Sequence, residues 1–278
     1  WGASVPELIE RMTPMLIGEN PLDIDRLYRH LIQRMSGEGS IEGVTVTAIS
    51  GIEIALHDLV GRIVEVPVYQ LLGGKYRDAV RVYNDCHTTD EADPDACARE
   101  ATRVVDELGY DALKFDLDVP SGSDTDRANR HLSPQAIEHK RAIVAAVTDA
   151  VADRADVAFD CHWSYTRSAA MQLLRALAPY PVWWIEDPIP PENTDAQAQV
   201  TARSAVPVAA GENRYRVREH ERLLRTGAVD IIAPDLPKVG GLRETRRIAD
   251  VADMHATPVA LHNVASPIAT MAAVHLGA

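Results

Sequence analysis

The sequence predicts an α/β fold, a (β/α) barrel preceded by a helical N-terminal region, and three observations lead there. From Val80 onward, short β-branched or aromatic runs alternate with amphipathic segments, which implies a parallel sheet with helical crossovers. Asp160, Glu186, Glu212, Asp235 and His262 each fall at the C-terminal end of such a run, at intervals of 26, 26, 23 and 27 residues. One βα unit separates each from the next, and in a barrel those strand ends ring a single mouth, where the chemistry of the fold is done. No glycine-rich loop follows the first run, so a dinucleotide-binding, doubly wound sheet loses its main support. Any one of these acids could be a helix N-cap. Five in register point to a site.

Taken in order, residues 1–75 read as a helical, partial capping domain and 76–278 as the barrel. Pro6 to Leu16 has helical apolar spacing, Leu22 to Met35 is amphipathic, and Ala48 to Leu59 is rich in Ala, Ile and Leu. Gly61 and Pro67 then act as breakers. The expected strands are Val80–Tyr83, Ala112–Phe115, Val157–Phe159, Val182–Ile185, Val206–Ala210, Ile231–Ala233 and Pro258–Leu261. Between them lie amphipathic segments at Ala98–Leu108, Ala136–Val151, Ser168–Leu177, Glu219–Leu224 and Leu242–Met254.

Composition narrows the partners. The chain has 278 residues, 46% hydrophobic and 25% charged, enough for a sizeable core. Its formal net charge of −13 argues against nucleic acid and anionic lipid, yet allows an anionic substrate where a bound cation reverses the local field. Cys86, Cys97 and Cys161 form no CxxC pair, so a reducing cytoplasm is the expected compartment. No apolar run approaches the length of a membrane span on this reading. His57 reads as structural, and Cys161 should point toward the helices.

Several long motifs then resemble the mandelate racemase and muconate-lactonizing enzyme family of the enolase superfamily. They are AISGIEIALHDLVGRIVEVPVYQLLGG at 48–74, FDCHW through WWIEDP at 159–188, GEN at 211–213, PDLPKVGG at 234–241 and LHN at 261–263. Members of that family begin with a β-hairpin and finish with an eighth strand. This chain resembles a fragment, with Trp1 following the hairpin and Ala278 ending the helix after strand seven, so an unpaired edge between strands seven and one is expected.

The resemblance implies that Asp160, Glu186 and Glu212 are metal ligands. Such a hard oxygen site suits Mg²⁺, with Mn²⁺ as an alternative. Mg²⁺ together with a Lys or His base is the established pattern of the superfamily for stabilising an enediolate. The resemblance also implies a base formed by His262 and Asp235, in which the carboxylate fixes the imidazole tautomer.

On strand two the racemases of the family carry Lys-x-Lys. Here the run is Leu113-Lys114-Phe115-Asp116, so Lys114 matches the first lysine and Asp116 replaces the second. Lys114 is expected to support the metal or the substrate carboxylate, and Asp116 to bind a hydroxyl or pair with Lys114. His162 lies two residues past Asp160, where sugar-acid dehydratases of the family have the histidine that protonates a departing 3-hydroxyl. His87 is a candidate substrate contact. The expected function is a cytoplasmic, Mg²⁺-dependent aldonate dehydratase, a hydro-lyase acting on a small sugar acid and homo-oligomeric when full length. The alternatives are a racemase or epimerase of a 2-hydroxy acid and a non-catalytic sugar-acid-binding barrel.

Overall fold

The computed structural model describes residues 3–120 and 128–278, so Trp1 lies outside the described residues. Two compact units divide the chain: Trp1–Val80 with Gly211–Arg222 and Ile232–Ala278, and Arg81–Ala210 with Leu223–Ile231.

The first unit opens with helices α1 (Val5–Met12), α2 (Ile24–Gly37), α3 (Val44–Ile63) and α4 (Val68–Leu71). Apolar residues at helical spacing on α2 and α3, among them Tyr28, Leu31, Met35, Ile49 and Ile52, join Met12 in one core cluster. Burying each large apolar side chain contributes roughly 1.5–3 kcal/mol. The second unit alternates β1 (Asn84–Asp85), α5 (Pro94–Asp106), β2 (Ala112–Asp116), α6 (Pro134–Val151), β3 (Asp156–Asp160), α7 (Arg167–Leu177), β4 (Val182–Glu186), α8 (Thr194–Thr201) and β5 (Val208–Ala210). The chain continues through α9 (Arg216–Arg225) and β6 (Ile231–Ile232) to α10 (Leu236–Val239), α11 (Gly241–Met254) and α12 (Pro267–Gly277).

Helix starts follow local chemistry. Asp93, Ser133 and Ser266 each cap a helix through the side chain, accepting an amide two or three residues on, with Pro94, Pro134 and Pro267 next in line. Thr166 and Asn193 cap α7 and α8 in the same way.

The sheet order is β1-β2-β3-β4-β5-β6, and the ladders from β1 to β5 are parallel. This sequential order lacks the reversal that marks a doubly wound sheet. The strands are buried almost throughout, as helix-covered parallel strands must be.

Three expected strands differ. The expected Val80–Tyr83 run forms no strand; the first strand is the next two residues, Asn84 and Asp85, which meet ladder partners Leu113 and Lys114, while Val82 is exposed. The fifth starts at Val208, after Pro207, which has no N–H for a ladder. The Pro258–Leu261 run forms no strand and is held instead by the isolated bridge Ile232↔Val259, with a second, Asp235↔His262, just beyond it. The expectation that no segment reaches membrane-span length is also corrected. Helix α3 is long and apolar enough by length and composition, but half of it is buried within the fold and its buried positions include Glu53 and His57.

Those polar positions join α3 to α11. Glu53 accepts hydrogen bonds from the Leu242 and Arg243 amides at 2.8 and 2.9 Å, satisfying the N-terminus of α11. Ser50 Oγ accepts from the Gly240 amide at 2.9 Å, and His57 Nδ1 lies 3.1 Å from the Glu53 carbonyl.

Burial pushes the Glu53 carboxyl up to about 7, against the pull of those two amides. A carboxyl that holds its proton more tightly folded than unfolded contributes stability at low pH and loses it as pH rises through the folded pKa. The contribution of Glu53 to stability should therefore fall between about pH 4.5 and 7 by an amount on the order of 2–3 kcal/mol, and Glu53→Gln should remove that component from the pH profile. Urea unfolding of both proteins at pH 5 and pH 7 measures it. Parallel pH profiles would contradict the expectation.

Candidate active site

In the second unit, strand register levels the functional side chains. Asp116 pairs with Asp160 and Asp160 with Glu186, so three C-terminal ends lie side by side. Lys114 Nζ donates to Asp160 Oδ2 at 2.8 Å and lies 3.5 Å from Glu186 Oε1. Trp184 Nε1 donates to Glu186 Oε2 at 3.0 Å and fixes that carboxylate from below. All four residues are buried. Burial alone would lower the Lys114 pKa, but Glu186 and Asp160 outweigh it and hold the ammonium well above its ordinary value. Ligand oxygens of Asp160 and Glu186 lie within 4.8 Å of each other. Two oxygens coordinating one Mg²⁺ at about 2.1 Å must be no more than ~4.2 Å apart, so a small adjustment fits the pair to the ion.

His162 follows Asp160 on a sharply turned backbone. Its φ is 39°, Trp163 has φ 59°, and across the strand ends Asp187 has φ 41°. Left-handed non-glycine residues are costly and cluster at functional sites. Here hydrogen bonds hold the turn: His162 N donates to Asp160 Oδ1 at 3.0 Å, and Trp163 N to the Asp187 carbonyl at 2.7 Å. Around the ring, Nδ1 is 3.2 Å from Asp118 Oδ1 and 3.9 Å from Asp116 Oδ1, and Nε2 is 3.9 Å from Asp160 Oδ2. Chiefly through the Asp118 hydrogen bond, the His162 pKa is pushed up to about 10. Burial pushes Asp116 up to about 6, against the pull of His162.

His87 is mostly exposed, 3.5 Å from Asp85 and 3.2 Å from Glu91, and its ring also comes within 4.8 Å of an Asp116 oxygen. Of the two roles expected for Asp116, pairing with Lys114 is not what forms. Lys114 turns to the buried Asp160 and Glu186 instead, where two carboxylates compensate its charge, and Asp116 faces His162. Cys161 points into the apolar cluster of the second unit, away from these groups, and is fully buried.

The first unit assembles a second group. His262 Nδ1 lies 2.7 Å from Asp235 Oδ2, and Nε2 lies 2.9 Å from Glu212 Oε2. Asp235 also accepts the Lys238 amide through Oδ1 at 2.9 Å, capping α10. The cap and the imidazole partner, alternatives for such an acid in the sequence, are one residue here. Gly211 places Glu212: at φ 145°, with Ala233 backbone atoms 3.1 Å from where a Cβ would stand, only glycine fits without displacement. Burial lowers the His262 pKa, but the hydrogen bonds to Asp235 and Glu212 outweigh it and leave it at about 9.

Residues that sequence reasoning did not single out complete both groups. Lys238 Nζ lies 3.5 Å from Glu212 Oε1 and donates to Asn213 Oδ1 at 3.3 Å. Its signal was present, since it lies inside the PDLPKVGG stretch. Asp118 and Ser164 flank His162, and the Asp-x-Asp spacing at 116–118 was the available hint.

The comparisons agree across the chain. The family profile described as mandelate racemase / muconate lactonizing enzyme, N-terminal domain, matches residues 3–73, and the one described as enolase C-terminal domain-like matches 96–278. The chain is 64% identical, over its whole length, to a D-xylonate dehydratase of Haloferax volcanii, covering 68% of that protein. It is 30% identical to a D-gluconate dehydratase of Thermoproteus tenax, again over its whole length, and spans 56% of it. A crystal structure of a mandelate racemase/muconate lactonizing enzyme-like protein from Rubrobacter xylanophilus superposes with a TM-score of 0.93 at 38% identity, over 99% of this chain and 73% of that one. With matched profiles over both regions and relatives of this similarity, the chain belongs to the mandelate racemase/muconate lactonizing enzyme family of the enolase superfamily, with that family's barrel fold.

Proposed function

We propose that the chain carries the catalytic core of a Mg²⁺-dependent aldonate dehydratase, with a capping region at 1–75 and a barrel at 76–278. Relatives named as D-xylonate and D-gluconate dehydratases support a hydro-lyase, and the 64% identity makes D-xylonate the first substrate to try. Asp160, Glu186 and Glu212 are the proposed ligands, with Mn²⁺ as an alternative ion. When bound, the cation supplies positive charge against the two oxygens of the enediolate. A small sugar-acid substrate, no nucleic-acid or membrane partner, a homo-oligomeric full-length enzyme and a cytoplasmic location belong to the same reading.

The chain's own residues divide the reaction. Lys114 supports the metal ligands or the substrate carboxylate. His262 takes the C2 proton on Nε2 while Asp235 keeps the proton on Nδ1. The enediolate pair then forms the C2–C3 double bond, and the C3–O bond breaks with its electrons going to oxygen. His162 gives that oxygen a proton, so it departs as water, and the enol tautomerises to a 2-keto-3-deoxy acid.

The observation that carries dehydration over epimerisation is His162, seated beside Asp160 with no lysine at position 116. In the full-length protein, His162→Asn should lose dehydration by roughly 10²–10⁴-fold and still exchange the C2 proton with solvent deuterium. Turnover of a sugar-acid panel with Mg²⁺, followed by product formation and by mass of recovered substrate, reads both. Near-normal dehydration by this variant would sink the assignment.

A further inference from the structure

We propose that Asp118 is the positioning residue for His162: it holds Nδ1, so that Nε2 is the nitrogen presented to the leaving hydroxyl, and Ser164 holds Asp118 in turn. The inference rests on the reading of His162 as the general acid and assigns a role to residues outside the expected catalytic set.

The geometry is asymmetric about the ring. Nδ1 has a carboxylate oxygen at 3.2 Å, whereas the closest acid to Nε2, Asp160, stands at 3.9 Å, beyond a hydrogen bond. The second oxygen of Asp118 accepts from Ser164 Oγ at 3.3 Å, so both oxygens are engaged. Asp116 is no substitute, because its nearer oxygen is 3.9 Å from the same Nδ1. The main chain cannot supply the constraint either. It fixes where the side chain starts, through the left-handed turn at 162 and 163, but leaves the ring free to rotate about its last torsion. With a side chain 39% exposed, packing alone does not choose between the two ring faces.

Proton bookkeeping gives that choice a consequence. The imidazolium loses its Nε2 proton to the C3 oxygen as the C–O bond breaks, and the neutral ring that remains carries its proton on Nδ1. A carboxylate accepting from Nδ1–H stabilises that tautomer, as the orienting acid does for other catalytic histidines. No proton passes to Asp118, and none passes to Ser164.

The test uses the full-length protein with Mg²⁺ and the sugar acid it turns over best. Asp118→Asn should lower kcat for dehydration roughly 10–100-fold, the usual loss when the partner of a functional histidine is removed, with KM little changed and C2 exchange retained. Asp118→Ala should behave alike and regain part of its activity with added formate, which a merely structural role would not do. Nitrogen-15 spectra of the singly protonated His162 ring should move from Nδ1–H to Nε2–H in the alanine variant. If both variants dehydrate within about twofold of wild type while His162→Asn does not, Asp118 has no such role and the general-acid reading stands. If His162→Asn itself dehydrates normally, the inference falls together with that reading. Loss of exchange along with dehydration in Asp118→Asn would also overturn it.

Discussion

His262→Asn in the full-length protein is expected to lower C2 proton exchange and dehydration together, by roughly 10²–10⁴-fold, the usual contribution of a positioned base. The matched loss follows from order: proton abstraction precedes leaving-group departure, so nothing downstream proceeds without it. His262 is buried, its Nδ1 is committed to Asp235 at 2.7 Å, and the other nitrogen faces Glu212 at 2.9 Å. Asparagine is shorter and has no atom that can cycle a proton in this range. The measurement is deuterium incorporation at C2 beside product formation, each compared with wild type. Retained exchange with lost dehydration would move the base elsewhere and leave His262 with a role in the second half-reaction.

The largest effect on stability is expected at Gly241. Its φ is +83°, and a Cβ there would stand 2.1 Å from Glu53 Oε2 and 2.7 Å from the Glu53 carboxyl carbon. Glu53 cannot simply move aside, because its carboxylate satisfies the first amides of α11. Gly241→Ala should therefore combine left-handed strain of roughly 1–2 kcal/mol with the loss of one of those two buried hydrogen bonds at about 1–3 kcal/mol. The sum is on the order of 2–5 kcal/mol, a drop in Tm of roughly 5–15 °C. Gly51→Ala is the control: it lies on α3 with nothing within 4 Å of where its Cβ would stand, and should be neutral or gain about 0.5–1 kcal/mol. A change of less than about 1 kcal/mol at 241 would mean that Glu53 is more mobile than its hydrogen bonds indicate.

Sequence periodicity served well where one physical signal dominated. The central strands at 112–116, 156–160 and 182–186 are mostly apolar runs ended by an acid, and they form within a residue or two of the expected bounds. The first and seventh strands were less legible because strand formation there depends on ladder partners rather than on the apolar run itself. At the site, side chains at strand ends were readable because position along the chain fixes position along the strand. What could not be read was how carboxylates would share cations. Lys114 chooses between Asp116, two residues away, and Asp160, forty-six residues away, and burial decides for the distant one. Asp118 and Ser164 were hidden for a related reason: they lie beyond the strand end, where a loop rather than a periodic pattern aims the side chain.

Asp235 has one oxygen on the Lys238 amide and the other on His262. Selection for a firm turn after the sixth strand and selection for an aligned imidazole therefore act on the same two atoms. At most positions a protein can exchange some stability for activity, or the reverse. Position 235 offers no such freedom, since a side chain that relaxes its grip on the helix also releases the ring.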